Sequence, residues 1–476
     1  MLIERDVLIV GAGPTGLTLA VDLARRGVRA LVVERADGLF PGSRGKGIQP
    51  RTREVFDDLG VGEAIRAAGG PYPVGMIWQD GRRQGEHRMF DETDEGSEDS
   101  PYREPWMVPQ WRTQEILAAR LAELGGDIAF GRELVTLDQD ADGVSAGFAA
   151  GPPVRARYAV AADGGRSTVR RLAGIAMTGE TVDPNPMLVA DVRIDNLDRD
   201  NWHIFPPTGD TGFLAICPLA GTEDFQVVAQ FPQDTTVVPS LETVREAVAA
   251  RSHLSPEDVT AMSWASDFRP RAALADRFRQ GRVFLAGDAA HVHSPAGGQG
   301  LNTSVQDAYN LGWKLGAVLN GQAPESLLDT YEEERLPIAA EMLGLSTRIH
   351  RGEEGRGAAT RQLHLNYRGS SLAEETRTDL PADALRAGDR APDGFDTVRL
   401  FDEFRGPHWT LLAVGPAASA DLPALHTVRL PASEPYGNGL FLVRPDGYIG
   451  WAGDSSDDLT PYLARTGVRT GVRTGV

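Results

Sequence analysis

Three glycines near the N-terminus have the spacing of a dinucleotide-binding turn. Residues 11–16 read Gly11-Ala-Gly13-Pro-Thr-Gly16. We expect Gly11 to permit a tight turn, Gly13 to let the backbone approach a pyrophosphate, and Gly16 to let a helix pack closely on a strand. Free N–H groups at the N-terminus of that helix favour an anion there. Glu34, eighteen residues after Gly16, is placed to accept hydrogen bonds from an adenosine ribose.

The elements around these glycines form one βαβ pattern. An apolar run ends at Val10, the glycine turn follows, an amphipathic stretch ends at Gly27, and a second apolar run ends at Glu34. A strand, a turn, a helix, a second strand and an acidic residue in this order are the context in which the motif binds a dinucleotide. A glycine-rich turn without a ligand is the alternative, and the complete context favours the dinucleotide. The pattern does not separate NAD from FAD.

Two more glycine-marked turns follow predicted buried strands. Residues 157–162 lead into Asp163-Gly164, and residues 281–286 lead into Gly287-Asp288. The stretch 295–302 is then a glycine-rich loop that opens a helix. Two cations, Arg44 and Lys46, lie in a loop a short way past the first motif. They could contact phosphate or adenine, or they could belong to a solvated loop.

Composition limits the class of protein. The chain has 476 residues, and 48 basic against 67 acidic residues give a net charge of −19, which opposes binding to nucleic acid or to anionic lipid. A single cysteine, Cys217, excludes internal disulfides and a CxxC pair, and we expect it to be a buried apolar residue of a cytoplasmic protein. No apolar stretch approaches the ~20 residues of a membrane span. The acidic turn at 138–143 lacks the spaced glutamate of a calcium loop, so we expect a hairpin and no metal site.

The three glycine turns together resemble the class A FAD-dependent aromatic monooxygenases, the family of para-hydroxybenzoate hydroxylase and phenol hydroxylase. The motifs match in order over about residues 3–345. The segment Leu442-Val-Arg-Pro-Asp-Gly-Tyr-Ile-Gly-Trp451 is similar to the thioredoxin-like appendage of the aromatic polyketide hydroxylases and of rifampicin monooxygenase. That subgroup is the one that the sequence resembles most.

The resemblance implies an α/β fold with a Rossmann-like FAD-binding domain interleaved with an antiparallel-sheet substrate domain. A thioredoxin-like domain follows, and it lacks the active cysteines of thioredoxin. The expected boundaries are 1–70, 101–183 and 265–351 for the FAD-binding domain, 71–100 and 184–264 for the substrate domain, 352–388 for a linker, 389–464 for the thioredoxin-like domain, and 465–476 for a disordered repeat tail.

The resemblance also implies a set of FAD contacts. Asp288 would accept hydrogen bonds from ribityl hydroxyls, although a helix N-cap is a compatible role. The N–H groups of Leu301 and Asn302, at a helix N-terminus, would stabilise the negative charge of a reduced flavin. Asp163 would lie near the pyrophosphate, or it could cap the following helix. The full set of expected cofactor-binding residues is Gly11, Gly13, Pro14, Thr15, Gly16, Glu34, Arg35, Arg44, Lys46, Gln110, Leu134, Asp163, Thr168, Asp288, Gly298, Gly300, Leu301 and Asn302.

The reaction that the resemblance implies uses NADPH or NADH to reduce FAD, and O₂ to form a flavin C4a-hydroperoxide that hydroxylates an electron-rich ring. The expected partner is a small phenolic or polyketide-type aromatic substrate, and the protein is expected to be a monomer or a homodimer. Candidate catalytic groups are the carbonyl of Pro295, Arg44, and His203 as a base. For His203, a satisfied or exposed histidine of the sheet is the favoured alternative. Four aromatic residues suit an apolar substrate wall or core packing: Trp78, Trp202, Phe205 and Phe213.

Two alternatives stay open at the level of the sequence. Baeyer–Villiger or ring-opening oxygenation could occur on the same scaffold, because substrate pose and protonation decide between the reactions. A non-catalytic flavin- or drug-binding protein is the alternative of another class.

Overall fold

The computed structural model describes residues 2–88, 90, 100–209, 211–394, 399–415, 425–432 and 435–466. The acidic loop expected between Asp91 and Asp99 and the repeat from residue 467 onward lie outside the described residues. Within those ranges, no helix is both long enough and apolar enough to cross a membrane.

The described residues form 26 strands and 10 α-helices. The strands are β1 (Ile3–Val10), β2 (Ala30–Val33), β3 (Gly47–Ile48), β4 (Gly70–Pro71), β5 (Val74–Gln79), β6 (Arg82–His87), β7 (Trp106–Met107), β8 (Ile128–Ala129), β9 (Leu134–Gln139), β10 (Val144–Phe148), β11 (Val154–Ala161), β12 (Met177–Thr181), β13 (Met187–Ile194), β14 (Asn201–Phe205), β15 (Leu214–Pro218), β16 (Phe225–Gln230), β17 (Val259–Phe268), β18 (Arg271–Ala275), β19 (Arg279–Gln280), β20 (Val283–Leu285), β21 (His291–Val292), β22 (Glu374–Glu375), β23 (Thr410–Val414), β24 (His426–Leu430), β25 (Gly439–Val443) and β26 (Ile449–Gly453). The helices are α1 (Pro14–Arg25), α2 (Pro50–Asp58), α3 (Gly62–Ala67), α4 (Gln110–Glu123), α5 (Thr168–Leu172), α6 (Leu241–Arg251), α7 (Gly300–Leu319), α8 (Asp329–His350), α9 (Leu400–Phe404) and α10 (Leu459–Thr466).

A sheet with a parallel centre is the core of the first part of the chain. Its strand order is β19-β20-β11-β1-β2-β8, and β1 runs parallel to both of its neighbours, β11 and β2. The second half of β1 is buried on both faces, as expected for the continuous apolar run of a parallel strand. Because parallel strands end at one edge, the sheet brings together the residues that follow β1, β2, β11 and β20. We call this the carboxyl edge, and it comprises Gly11, Glu34, Asp163 and Gly287.

A second, mostly antiparallel sheet is placed across that edge. Its order is β17-β13-β16-β15-β14-β5-β6, and helix α6 covers one face. Alternate residues of β13, beginning with Leu188 and Ala190, pack on that covered face, while the intervening residues point toward the carboxyl edge. The expected substrate domain ended at residue 264, whereas β17 continues to Phe268 because it stays paired with β13.

The C-terminal sheet has the order β22-β26-β25-β23-β24. Strands β23 and β24 are parallel, whereas β25 is antiparallel to both β23 and β26. The stretch 352–388, expected to be a linker, contributes β22 and the buried side chains of Leu365 and Tyr367. Its few apolar residues are widely spaced, so no periodicity indicated that it packs. Parallel and antiparallel sheets with covering helices make the whole a mixed α/β fold, as predicted.

A buried ion network joins the C-terminal sheet to helices α7 and α8. Both guanidinium Nη atoms of Arg444 bind the carboxylate of Glu334, at 2.6 and 2.9 Å, and Arg444 also pairs with Asp446. Lys314 donates to Glu334 at 2.7 Å, and the Trp313 indole donates to Asp446 at 3.0 Å. All four ionic side chains are buried, with two positive and two negative charges.

We expect Arg444→Met to lower the free energy of unfolding by about 3–5 kcal/mol, because it leaves two buried carboxylates short of a cation. Urea unfolding followed by tryptophan fluorescence measures this. The matched control is Arg465→Met, which breaks the half-exposed ion pair with Glu374 and should lower stability by less than about 1 kcal/mol. Equal effects of the two substitutions would contradict the role given to the network.

Candidate functional site

The first glycine turn has the geometry that its spacing predicts. Gly11 has φ +110°, and a Cβ there would lie 2.3 Å from the carbonyl oxygen of Ala162, the residue that follows the neighbouring strand β11. A Cβ on Gly16 would lie 2.0 Å from the Gly11 oxygen, so helix and strand are in close contact. Beside Gly13, by contrast, there is open space, with no atom within 4 Å of an added Cβ. Helix α1 begins at the next residue, Pro14.

Glu34 stands beside this turn at the end of β2. Its carboxylate accepts hydrogen bonds from the backbone N–H groups of Ala12 and Ala36, both at 3.0 Å. The following residue, Arg35, is exposed. Thr15, the second residue of α1, packs against Gly287, where a Cβ would lie 2.6 Å from the Thr15 hydroxyl. The first and third glycine turns are therefore in contact.

Asp288 lies in the short turn after β20 and is exposed. Its carboxylate is accessible to solvent and accepts no hydrogen bond from any described residue. Desolvation raises the pKa of Asp288, and the charges of His291 and Arg44 oppose that rise. Desolvation lowers the pKa of Arg44, and the nearby cations Arg166 and Arg35 lower it further. Although the protein is acidic overall, three arginines therefore gather at the carboxyl edge.

The loop before α7 is tightly held, and the first N–H groups of that helix are free. Pro295 is exposed and opens a short turn in which its carbonyl accepts the N–H of Gly298 at 3.1 Å. The N–H groups of Gly300, Leu301 and Asn302 have no acceptor in the described part of the chain. The buried Asn302 side chain does not face a ligand space, because it binds three backbone groups at 2.8–2.9 Å, those of Gln49, Gly47 and Gly298.

Asp307, one turn further along α7, fixes the turn of Asp288. Its Oδ2 accepts the Gly287 N–H at 3.0 Å and lies 2.6 Å from His291 Nε2, and its Oδ1 accepts from Arg335 at 2.8 Å. Although burial would raise the pKa of Asp307, its pairing with His291 and Arg335 lowers it. His293 adds a further hydrogen bond to this group, because its Nε2 lies 2.9 Å from Nδ1 of His291. Burial lowers the pKa of His293 to about 3.

Asp163 caps helix α5, as its alternative interpretation predicted. Its Oδ2 accepts the N–H groups of Thr168 and Val169 at 2.7 and 3.2 Å. Its other oxygen is buried without a partner among the described residues, and desolvation raises the pKa of the carboxyl group. The capping contact therefore leaves one acceptor at the carboxyl edge.

In the loop with Arg44 and Lys46, the Arg44 side chain is exposed, whereas Lys46 is buried. The Gly45 N–H donates to Gln110 Oε1 at 3.0 Å, at the start of α4. Lys46 is 9% exposed, and its ammonium group donates to Gln226 at 2.8 Å and lies 4.4 Å from the Trp202 ring centroid. The solvated-loop alternative is therefore wrong for Lys46, and its amine is directed at the substrate sheet. Among the other expected contacts, Leu134 is buried at the start of β9.

The structure corrects the prediction of His203 as a catalytic base. Its ring is fully buried, with Nδ1 accepting from the Trp78 indole at 3.1 Å and Nε2 contacting the Asp198 carbonyl at 3.0 Å. Burial lowers the pKa of His203. On a strand, residues 203 and 202 point to opposite faces, so His203 lies in the core with Trp78 and Phe205, away from the carboxyl edge. Those two aromatic residues are therefore core residues rather than a substrate wall.

Trp202 lies on the opposite face of β14 from His203, beside Lys46 and a group of aromatic side chains. Tyr72 packs against it with ring centroids 6.0 Å apart and against Phe90 at 4.9 Å. The guanidinium carbon of Arg356 lies 5.9 Å from the Trp202 ring, and its Nε donates to the Ala296 carbonyl at 2.9 Å. Sequence reasoning missed Arg356, because it lies in the expected linker and belongs to no motif. Only the fold of that segment brings it beside the loop before α7.

Comparison with known proteins gives the family. Residues 4–346 match the FAD binding domain family, FAD_binding_3. A flavin-dependent monooxygenase of Mycobacteroides abscessus is 46% identical over 474 residues, which covers 96% of this chain and 99% of that protein. The chain belongs to the FAD-dependent monooxygenases. The resemblance read from the three glycine turns is confirmed.

Other relatives of this monooxygenase carry more specific names. The rifampicin monooxygenase of Streptomyces venezuelae is 34% identical, over 95% of this chain and 97% of that protein. The crystal structure of a ternary complex of aklavinone-11 hydroxylase with FAD and aklavinone is 30% identical, with a TM-score of 0.84, and it covers 98% of this chain. The similarity extends over both sheets and the C-terminal unit.

We expect His203→Phe in this monooxygenase to lower the free energy of unfolding by about 1–3 kcal/mol, because the Trp78 N–H loses its acceptor in the core. The pH dependence of turnover should stay unchanged. Urea unfolding and a pH–rate profile measure the two effects, with the exposed His87→Phe as the matched control. A changed pH profile at unaltered stability would restore His203 as a catalytic base.

Proposed function

We propose that this protein uses NAD(P)H and O₂ to hydroxylate a phenolic or polyketide-type aromatic small molecule. One observation carries the proposal. The edge where the parallel strands end brings together three features that could bind a cofactor. These are the open space beside Gly13, the unpartnered carboxylate of Asp288 and the free N–H groups at the start of α7. Trp202 of the second sheet lies beside Lys46, two residues from Arg44.

The residues at the carboxyl edge fit FAD. The parallel sheet is Rossmann-like, so the pyrophosphate would lie beside Gly13 at the N-terminus of α1, where Arg35, Arg44 and Arg166 supply positive charge. Glu34 would face the adenosine ribose, and Asp288 would accept hydrogen bonds from ribityl hydroxyls. The N–H groups of Leu301 and Asn302 would stabilise negative charge on the flavin pyrimidine. Among the described residues, no hydrogen-bond partner occupies the Asp288 carboxylate or the N–H groups of Leu301 and Asn302.

Bound FAD would supply the redox chemistry between NAD(P)H, O₂ and the aromatic ring. The chain's own residues orient that ring and exclude water from it. Trp202 and Tyr72 offer apolar faces for stacking, and Arg356 places a cation beside the same wall. The carbonyl of Pro295 keeps one lone pair free for a substrate hydroxyl. The similarity to a rifampicin monooxygenase and to aklavinone-11 hydroxylase supports a polyketide-type aromatic substrate.

The C-terminal unit is best interpreted as thioredoxin-like. Its strand order β24-β23-β25-β26, with only the first pair parallel and helix α10 at the end, supports this assignment. The only cysteine of the chain, Cys217, is buried in the substrate sheet, so the unit has no dithiol chemistry. A bracing role for α7 and α8, through Arg444, fits its contacts.

We expect Gly13→Ala to weaken FAD binding at least tenfold without unfolding the protein. Gly13 has φ −74°, which alanine adopts freely, and the added methyl group would enter the space assigned to the pyrophosphate. The matched variant, Gly16→Ala, places its methyl group against the Gly11 carbonyl and should lower the melting temperature instead. Fluorescence titration with FAD and thermal unfolding separate the two effects. Wild-type affinity in Gly13→Ala would contradict the assignment.

The reaction is tested by anaerobic mixing of the FAD-loaded protein with NADPH or NADH. A panel of phenols, naphthoquinones, anthraquinones and ansamycins is added, and the loss of the flavin absorbance is followed. We expect one aromatic class to accelerate reduction, and its aerobic product to gain one hydroxyl oxygen from isotopically labelled O₂. No reduction under any condition would favour a non-catalytic flavin-binding protein. Oxygen insertion into a ring bond would instead favour Baeyer–Villiger chemistry.

A further inference from the structure

Three residues in a row across the substrate sheet support the loop that carries Arg44. Asp191 of β13 is paired in register with Trp264 of β17 on one side and with Gln226 of β16 on the other. All three side chains face the carboxyl edge. We call residues 42–46 the arginine loop, since Arg44 lies at its centre.

Two of the three make direct contacts with the arginine loop. The backbone of Gly42 lies so close to Trp264 that an added Cβ would be 2.1 Å from the indole ring. The Gln226 amide donates to the Ser43 carbonyl and accepts from the Lys46 ammonium group at 2.8 Å. The loop is therefore held at both ends of the row.

Asp191, in the middle of the row, is a buried carboxylate without a hydrogen-bond partner. It is 1% exposed, and neither of its oxygens is bonded to a described residue. The hydroxyl of Ser43 is fully buried and is likewise not within bonding geometry of a described residue. Burial raises the pKa of Asp191 to about 6. The neighbouring hydroxyl and N–H groups of Ser43 and the charge of Lys46 act to lower this pKa, and the charge of Asp224 acts to raise it. An ionised carboxylate in such a place destabilises the fold, which favours a functional reason for its presence.

We propose that Asp191 is a positioning residue that draws the arginine loop onto the substrate sheet and so sets Arg44 opposite Asp288 in the FAD site. The ionised carboxylate attracts Lys46 and offers two acceptors to the N–H and hydroxyl groups of Ser43. The inference rests on the FAD site proposed above and does not depend on NAD(P)H, on O₂ or on the aromatic substrate.

The test compares FAD affinity across pH in the wild type and in Asp191→Asn, which keeps the shape and removes the charge. Protonation of Asp191 abolishes its attraction for Lys46, so wild-type affinity should fall about tenfold as the pH falls from about 8 to about 5. Asp191→Asn should bind FAD about tenfold more weakly at pH 8 and lose most of this pH dependence. The control is Asp195→Asn, at an exposed aspartate just after β13, which should behave as the wild type.

A second readout is the stability of the FAD-free protein. The pKa of Asp191 is higher in the folded protein than in the unfolded chain, so its ionisation destabilises the fold as the pH rises from about 4 to about 6. Asp191→Asn should therefore have a higher melting temperature than the wild type at pH 8. If Asp191 merely supported the structure, Asp191→Asn would have a lower melting temperature than the wild type.

A second variant tests the partner of Asp191. Lys46→Met should flatten the pH dependence of FAD binding in the same way. Unchanged affinity in Asp191→Asn, or weaker affinity with the wild-type pH dependence retained, would overturn the inference. Failure of the wild-type protein to bind FAD would instead overturn the proposed function.

Discussion

The contact of Asp307 with the Gly287 N–H is the interaction on which the candidate site depends. One carboxylate on α7 binds the backbone of the Asp288 turn, His291 and Arg335 of α8. Because the Asp307 carboxylate is buried, removal of Arg335 would leave a buried negative charge without its guanidinium partner. The N-terminus of α7 and the Asp288 carboxylate are thereby fixed relative to each other, as a preorganised cofactor site requires.

Buried charge has a different role at two other places. In the network of Arg444 and Glu334, every charge has a counter-charge, and the network sets how the C-terminal sheet meets α7. At Asp191, neither carboxylate oxygen is hydrogen-bonded within the described part of the chain. The paired charges of the Arg444–Glu334 network stabilise the fold, whereas the buried carboxylate of Asp191 destabilises it. Proteins commonly keep such locally destabilising residues where they bind ligands.

The sequence predicted the parts of the site that depend on local structure. Gly11, Gly13 and Gly16 lie within one turn, and the parallel strands carry Asp163 and Asp288 to the same edge, so short patterns were sufficient. Contacts between segments far apart in the chain determine where the Lys46 side chain points, why His203 is buried and where Arg356 lies. The alternation of β14 shows that residues 202 and 203 face opposite ways, but only the packed sheet shows which face meets the carboxyl edge.

The most direct test of the account is a crystal structure of the protein saturated with FAD. We expect the pyrophosphate beside Gly13, the ribityl chain at Asp288, and the flavin pyrimidine at the N–H groups of Leu301 and Asn302. We also expect aromatic side chains, Trp202 among them, to line the space next to the flavin. A flavin bound away from the start of α7, or an Asp288 side chain without contact to the cofactor, would contradict it.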